Sequence, residues 1–145
     1  RRRLERQADD VPLTPVMDGE TFLAVQRSLE LVQVTAVMGA YVVDLVRATR
    51  TARELSVGAS PRGTLAVLKL ARARAVIAGR DFITPDDVRA VAVPALAHRV
   101  VLTADAWARG IDPRNVVAEA ITSVPAPSWQ CRTPAATPAS WGTRP

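Results

Sequence analysis

The sequence of 145 residues predicts an all-α fold, a small helical bundle. Apolar residues recur at intervals of three and four along several segments, which is the period of an amphipathic helix. A capping residue followed by proline is typical of a helix start, and the chain has such pairs at Ser60-Pro61, Thr84-Pro85 and Asp112-Pro113. Hydrophobic residues make up 48% of the chain but aromatic residues only 4%, and small aliphatic side chains favour closely packed helices over a sheet.

The first two helices are predicted between residues 18 and 51. Asp18 is placed to cap the first, in which Phe22, Val25 and Leu29 share one face. Residues 32–34 alternate between apolar and polar, which predicts a brief extended piece. Thr35 can cap the second helix, which should end near Thr51 and carries a single apolar stripe made of Met38, Tyr41, Val42, Leu45 and Val46.

The longest helix is predicted from Pro61 to about Ala78. Gly58 breaks the preceding pattern, the Ser60 hydroxyl is expected to cap the helix, and the Pro61 ring is preset to helical φ. Gly79 is placed to end the helix. Apolar residues surround much of its circumference and predict a central, largely buried helix; they are Leu65, Val67, Leu68, Leu70, Ala71 and Ile77.

Two more helices are predicted beyond Gly79. Thr84 can begin the first, with Asp87 at the capping-box position, and Pro94 is expected to break or restart it. Residues 100–102 form a short apolar run that fits either a strand or a helix. Asp112-Pro113 starts the last helix, whose apolar residues are Val116, Val117, Ala120 and Ile121.

The composition divides the chain into three regions. Residues 1–17 are expected to be a connector, residues 18–124 the helical domain, and residues 125–145 a Pro-rich disordered tail. The chain opens on Arg1, and its first residues resemble the end of a surface helix. We therefore expect a fragment whose preceding domain is missing.

Composition also narrows the functional classes. Cys131 is the only cysteine, so neither an intrachain disulfide nor a cysteine-based metal site is expected. The net charge is +5, but Lys69 is the only lysine, and an arginine bias of this kind is weak support for nucleic-acid binding. No apolar run approaches the length of a membrane span and no signal peptide opens the chain, so a cytoplasmic protein without a membrane partner is expected.

The sequence contains no complete active site. It lacks the phosphate-binding G-x-x-x-x-G-K-[ST] loop, and the single histidine, His98, has no partners at metal-ligand spacing, so no metal site is predicted. Arg62 has the most specialised setting, because it follows a Gly-x-Ser-Pro break in the first turn of a predicted helix. Such a helix end favours anions, and a guanidinium adds donors suited to phosphate. An ordinary solvated arginine is the competing interpretation.

Several segments, in order, resemble one family. Gly58-Ala59-Ser60-Pro61-Arg62 is similar to the sensor-2 motif of MoxR-family AAA+ ATPases. The segments 41–50, 79–88, 96–99 and 124–127 also resemble that family, in the right order, so that the likeness covers roughly residues 4–127.

The resemblance implies an AAA+ lid domain cut off from an α/β ATPase core of the same polypeptide. In it Arg62 would be the catalytic sensor-2 arginine that reaches the γ-phosphate, with Gly58, Ser60 and Pro61 beside the nucleotide. ATP and Mg²⁺ would be bound by the missing core, since Walker A and B motifs are absent and this chain alone should be inactive. The family also implies a chaperone-like remodelling ATPase, a homo-hexameric ring and von Willebrand factor A domain partners.

The resemblance leaves other residues with weaker interpretations. Thr49-Arg50 has a plausible place at the lid–core boundary, although an ordinary helix C-terminal arginine is favoured. Gly63 departs from the family, which usually has alanine or another helix former there. Trp129 and Trp141 are candidate docking anchors in the tail, although incidental tryptophans are favoured.

The alternative hypothesis is a stand-alone basic helical module that binds nucleic acid or an acidic protein partner. Its basic face would consist of Arg1, Arg2, Arg3, Arg6, Arg72, Arg74 and Arg80. Acidic residues lie on the same helices and no aromatic residues interleave with the arginines, so nucleic acid is not the expected partner.

Overall fold

The computed structural model describes residues 14–128 of the chain. In this part the chain forms α1 (Gly19–Ser28), α2 (Ala36–Thr51), β1 (Leu55–Val57), α3 (Pro61–Ile77), α4 (Pro85–Leu96), β2 (Val101–Leu102), α5 (Ala104–Ala108) and α6 (Pro113–Thr122). Turns of 3₁₀ helix follow α1 and α4, at Leu29–Leu31 and Ala97–Arg99. The predicted all-α class is therefore confirmed. Most of the predicted connector and tail, with Trp129, Cys131 and Trp141, lies outside the described residues.

The core lies between α2, α3, α4 and α6. The apolar stripe predicted on α2 is confirmed, because every member of it is buried. It packs against small and branched side chains of the other helices, namely Val67, Ala71, Ala75, Val88, Ala92, Ala95, Leu96, Val117 and Ile121. Alanines on the facing sides of α3 and α4 let the helix axes approach closely, since interaxial distance follows the size of the contact residues.

The long helix α3 is less buried than the sequence predicts. Leu65 is 68% exposed and Ile77 is 88% exposed. The buried residues of α3 form a narrow strip of Gly63, Val67, Ala71 and Ala75. The prediction of a largely buried helix is wrong because, in the described part of the chain, neighbouring helices cover only that strip.

Helix α1 forms as predicted but remains outside the core. The Asp18 carboxylate accepts a hydrogen bond from the Thr21 N–H at 2.7 Å. Hydrogen bonding to the Thr21 side chain, and then to its backbone N–H, lowers the Asp18 pKa. No residue of α1 is buried, and Phe22 is 51% exposed. The extended piece that follows is confirmed, because Gln33 donates its N–H to the Asp81 carbonyl at 2.7 Å and pairs with Phe82.

The ends of α3 and α4 test the local predictions. Gly79 ends α3 at a φ of +69°, and the predicted capping box of Thr84 and Asp87 is present. Ser60 occupies the N-cap position of α3, but its side chain makes no capping hydrogen bond, so that prediction is wrong. The prediction that Pro94 breaks α4 is also wrong, because α4 continues to Leu96. Pro94 removes one N–H on the exposed side of α4, where water can satisfy the unpaired carbonyl.

A short two-stranded sheet joins two segments whose pairing the sequence does not predict. Strands β1 and β2 are antiparallel, with Leu55 opposite Leu102. Thr103 donates its N–H to the Glu54 carbonyl at 2.8 Å beside the sheet. The sheet fixes the chain just before residues 58–60. No helix within residues 14–128 is long and apolar enough to cross a membrane.

Candidate functional site

Arg62 lies in the first turn of α3, at the position predicted for it. Its side chain is exposed. Within residues 14–128, no hydrogen bond or ion pair engages its guanidinium group. The donors of Arg62 are therefore free to meet an anion that approaches this end of the helix.

Residues 58–60, the 58–60 loop, are tied to the C-terminal turn of α2. Ala59 is fully buried and donates its N–H to the Thr49 hydroxyl at 2.9 Å. Its carbonyl accepts a hydrogen bond from the Arg50 Nε at 3.0 Å. Thr49 is itself fully buried and donates its hydroxyl proton to the Val46 carbonyl at 2.7 Å. Both backbone groups of Ala59 are thus held by consecutive residues of α2.

Gly58 allows this close approach because it has no side chain. A Cβ on Gly58 would lie 2.7 Å from the Thr49 carbonyl oxygen and 2.7 Å from the Arg50 Cα. Both neighbours are backbone atoms and cannot move aside without moving α2. The glycine of the motif is therefore required by contact between the loop and the helix.

Gly63 lies close to Leu96 of α4 and to Ala59. A Cβ there would lie 2.8 Å from the Leu96 Cδ2 and 3.4 Å from the Ala59 Cβ. Gly63 donates its N–H to the Ser60 carbonyl at 2.7 Å, which tightens the first turn. The departure of Gly63 from the family pattern thus has a steric reason, because a side chain here would have to displace the buried Leu96 side chain.

The surroundings of the α3 N-terminus are basic. The Ser60 hydroxyl makes no capping hydrogen bond, and the positive end of the α3 dipole favours an anion here. A shallow depression between α2 and α3 adjoins this end and contains Arg47 and Arg50 on its wall. Of these, Arg47 has Asp44 as a carboxylate neighbour, at 3.8 Å.

The other prominent charged group is structural. Asp87 is buried and accepts hydrogen bonds from both terminal nitrogens of Arg80, each at 2.7 Å. Arg74 also lies 3.4 Å from this carboxylate. Burial raises the Asp87 pKa, but hydrogen bonds from Arg80 and Thr84 outweigh it, so the pKa is lowered overall. The bond to Asp87 in turn raises the Arg80 pKa.

Within residues 14–128, the hydrogen bonding of His98 involves the backbone and no other titratable side chain. Its Nδ1 lies 3.2 Å from the Pro94 carbonyl oxygen, on an exposed turn. Within residues 14–128 no three residues of the types His, Cys, Asp and Glu lie together as a metal site would require.

Gly58, Ser60, Pro61 and Arg62 thus lie together in one segment that leads into α3. Sequence reasoning considered Thr49 and Arg50 only for the lid–core boundary and did not predict their hydrogen bonds to Ala59. A signal for Thr49 was present, because it falls three residues after Val46 and continues the buried stripe of α2. A hydroxyl on a buried stripe requires a hydrogen-bond partner.

Comparison with known proteins identifies the family to which this helical fold belongs. Residues 47–120 match the family model of the AAA lid domain, and the chain belongs to this family. Within it, the chain is a lid region of the MoxR-type AAA+ ATPases, as its relatives support.

Relatives match this chain over part of their length. YeaC of Bacillus subtilis, an uncharacterized protein, is 35% identical over 115 residues, which are 79% of this chain and 36% of YeaC. The chaperone MoxR1 of Mycobacterium tuberculosis is 40% identical over 96 residues, 60% of this chain and 26% of MoxR1. The chain therefore spans well under half of either relative.

A solved structure shares the fold. It is a Cytophaga hutchinsonii protein proposed to be an ATPase, and it superposes with a TM-score of 0.66 at 23% identity. The match covers 84% of this chain and 51% of that one.

Proposed function

We propose that this chain is the lid of a chaperone-like AAA+ ATPase and that Arg62 is its sensor-2 arginine. The observation that carries the proposal is the uncommitted guanidinium of Arg62 at an uncapped helix N-terminus. The family supplies the second half of the argument, since an AAA lid serves a nucleotide-binding core. ATP and Mg²⁺ would be bound by that core in the same polypeptide.

The residues at the α3 N-terminus fit a phosphate group. ATP supplies a γ-phosphoryl group whose transfer needs its negative charge to be neutralised. Arg62 would donate hydrogen bonds to the phosphate oxygens, and the positive end of the α3 dipole would add to the attraction. Gly58 and Pro61 would hold this end of the helix in place, while the uncommitted hydroxyl of Ser60 remains available beside the nucleotide. Lid position would thereby depend on whether the γ-phosphate is present.

The wider biology follows the family. The name of MoxR1 describes a chaperone, and we extend a partner-remodelling role to the ATPase that carries this lid. Assembly into a homo-hexameric ring, partners with von Willebrand factor A domains and a cytoplasmic location belong to the same proposal. The proposal also includes the division of the chain into connector, lid and Pro-rich tail. It further includes the absence of ATPase activity in the isolated chain.

The alternative of a basic binding module is weakened by intramolecular pairing. Arg72 lies 3.2 Å from the Glu30 carboxylate, and Arg74 and Arg80 both face Asp87. Arginines that are committed to carboxylates contribute less to a surface that binds phosphates.

The test is ATP turnover by the ATPase polypeptide that carries this lid, in the wild type and in Arg62→Ala. We expect turnover to fall roughly a hundredfold, as when one charge-stabilising donor is removed from an active site, with the fold retained. Arg114→Ala is a matched control, because Arg114 is also exposed and also follows a capping residue and a proline, at the start of α6. Equal turnover in both variants, or an upstream sequence without an ATPase core, would contradict the proposal.

A further inference from the structure

We propose that Thr49 and Arg50 are positioning residues that fix the direction of Arg62. The inference rests on the proposed role of Arg62 and extends it to side chains that would not touch the nucleotide. Both residues lie in the last turn of α2 and bond to the 58–60 loop. Their common target, Ala59, precedes Arg62 by three positions.

The two bonds hold Ala59 from both sides. The Thr49 hydroxyl receives the Ala59 N–H, and the Arg50 Nε donates to the Ala59 carbonyl. Because peptide units are planar, fixing an N–H and the following C=O fixes two successive planes of the loop. The contact of Gly58 with the backbone of α2 restricts the same segment further.

Few torsions remain between Ala59 and Arg62. The ring of Pro61 locks φ at the first helical position, and the bond from the Gly63 N–H to the Ser60 carbonyl closes the first turn. The orientation fixed at Ala59 is therefore transmitted to the point where the Arg62 side chain leaves α3.

The burial of Thr49 makes its hydroxyl hard to replace. Its proton is donated to the Val46 carbonyl at 2.7 Å, which leaves the oxygen lone pairs for Ala59. Valine has nearly the same shape but no acceptor, so Thr49→Val would leave the buried Ala59 N–H unsatisfied. The loop would shift to find another partner, and Arg62 would lose its alignment.

A substitution of Arg50 tests the same positioning role and should disturb the fold little. The residue is exposed, and only its Nε bonds to the loop within residues 14–128. Arg50→Lys keeps the positive charge but lacks a donor in the Nε position. A loss of turnover in this variant therefore separates positioning from charge.

The experiment measures kcat and the KM for ATP in the ATPase polypeptide that carries this lid. We expect Thr49→Val to lower kcat by roughly tenfold to a hundredfold with a smaller effect on KM, since small misplacements of catalytic groups have effects of this size. Thr49→Ser restores the acceptor and should restore most of the rate. Thr51→Val is the matched control, because the exposed Thr51 makes the same kind of bond, to the Ala48 carbonyl at 3.0 Å, and none to the loop.

Double variants show whether the effect passes through Arg62. If it does, Thr49→Val and Arg50→Lys cause no further loss of kcat in the Arg62→Ala background. A further loss of the same size in that background would overturn the inference and make the two residues merely structural. If Thr49→Val does not fold, the comparison of Arg50→Lys alone with Arg50→Lys in the Arg62→Ala background still tests whether the effect passes through Arg62.

The failures are distinguishable. Slow turnover in Arg62→Ala with wild-type turnover in Thr49→Val and Arg50→Lys overturns only this inference. Wild-type turnover in Arg62→Ala overturns the proposed function and the positioning role together.

Discussion

At the residue scale, Gly58 sets how closely the 58–60 loop approaches α2. Its position leaves no room for a Cβ, since the nearest atoms of Thr49 and Arg50 would be 2.7 Å away. Gly39, in contrast, lies within α2, and a Cβ added there would meet nothing within 4 Å beyond its own helix backbone and chain neighbours. The two glycines therefore differ in what they contribute to the lid.

Alanine substitutions should separate the two glycines. We expect Gly58→Ala to lower the free energy of unfolding by about 1–3 kcal/mol, the usual range for overpacking. Gly39→Ala should raise it by about 0.5–1 kcal/mol, because alanine is the better residue in a helix interior. Urea unfolding measures both. A stable Gly58→Ala variant would show that the loop is not seated against α2.

Residue chemistry explains which parts of the site the sequence could predict. The Gly58-to-Arg62 motif was visible because glycine, capping residue and proline fall within a few consecutive positions. The bond between Thr49 and Ala59 joins residues ten positions apart, so it depends on how α2 and the loop pack. The missing cap at Ser60 likewise reflects a side-chain orientation that composition does not specify.

At the element scale, the ion pair of Arg80 and Asp87 joins the end of α3 to the start of α4. The Asp87 carboxylate accepts hydrogen bonds from both terminal nitrogens of Arg80. It also accepts one from the Thr84 N–H at 2.9 Å. Arg80 also lies over the Phe82 ring, 5.7 Å from its centroid. These contacts hold the short connection between the helices that form the largest interface of the core.

This pair should make stability depend on acid. Because the folded Asp87 pKa is lowered, its stabilisation is fully present above the unfolded value of about 3.8 and is lost as pH falls through the folded value. Asp87→Asn should lower the free energy of unfolding at neutral pH by about 1.5–3 kcal/mol, since the charge-assisted hydrogen bonds of Asp87 are lost. Urea unfolding from pH 7 to 3 should show a weaker acid dependence in the variant. Parallel pH curves would contradict this assignment.

The helix ends were predictable because their signals are local. Asp18, Thr35 and Thr84 each accept the expected capping hydrogen bond. The sheet was not predictable, because β1 and β2 are short and lie far apart in the sequence. Pro94 shows the limit of local rules, since its effect depends on whether the freed carbonyl can reach water.

At the scale of the whole molecule, the core lies between one face of α2 and the helices α3, α4 and α6, while α1 and one side of α3 stay exposed. The all-α class followed from periodicity and composition. The exposure of Leu65 and Ile77 did not, because periodicity shows that a face is apolar but not whether another element covers it. The family was identified because several motifs occur in one order, and the lid-domain match confirms it.

The proposed sensor-2 role requires Arg62 to contact the γ-phosphate of ATP. This contact is tested by measuring nucleotide affinity in the ATPase polypeptide that carries this lid. The ligands are a non-hydrolysable ATP analogue and ADP, and the proteins are the wild type, Arg62→Ala and the control Arg114→Ala. We expect Arg62→Ala to weaken binding of the analogue about tenfold or more, as for a charge-assisted bond to phosphate, and to leave ADP binding unchanged. An equal loss of affinity for both nucleotides, or no loss for either, would contradict this role of Arg62.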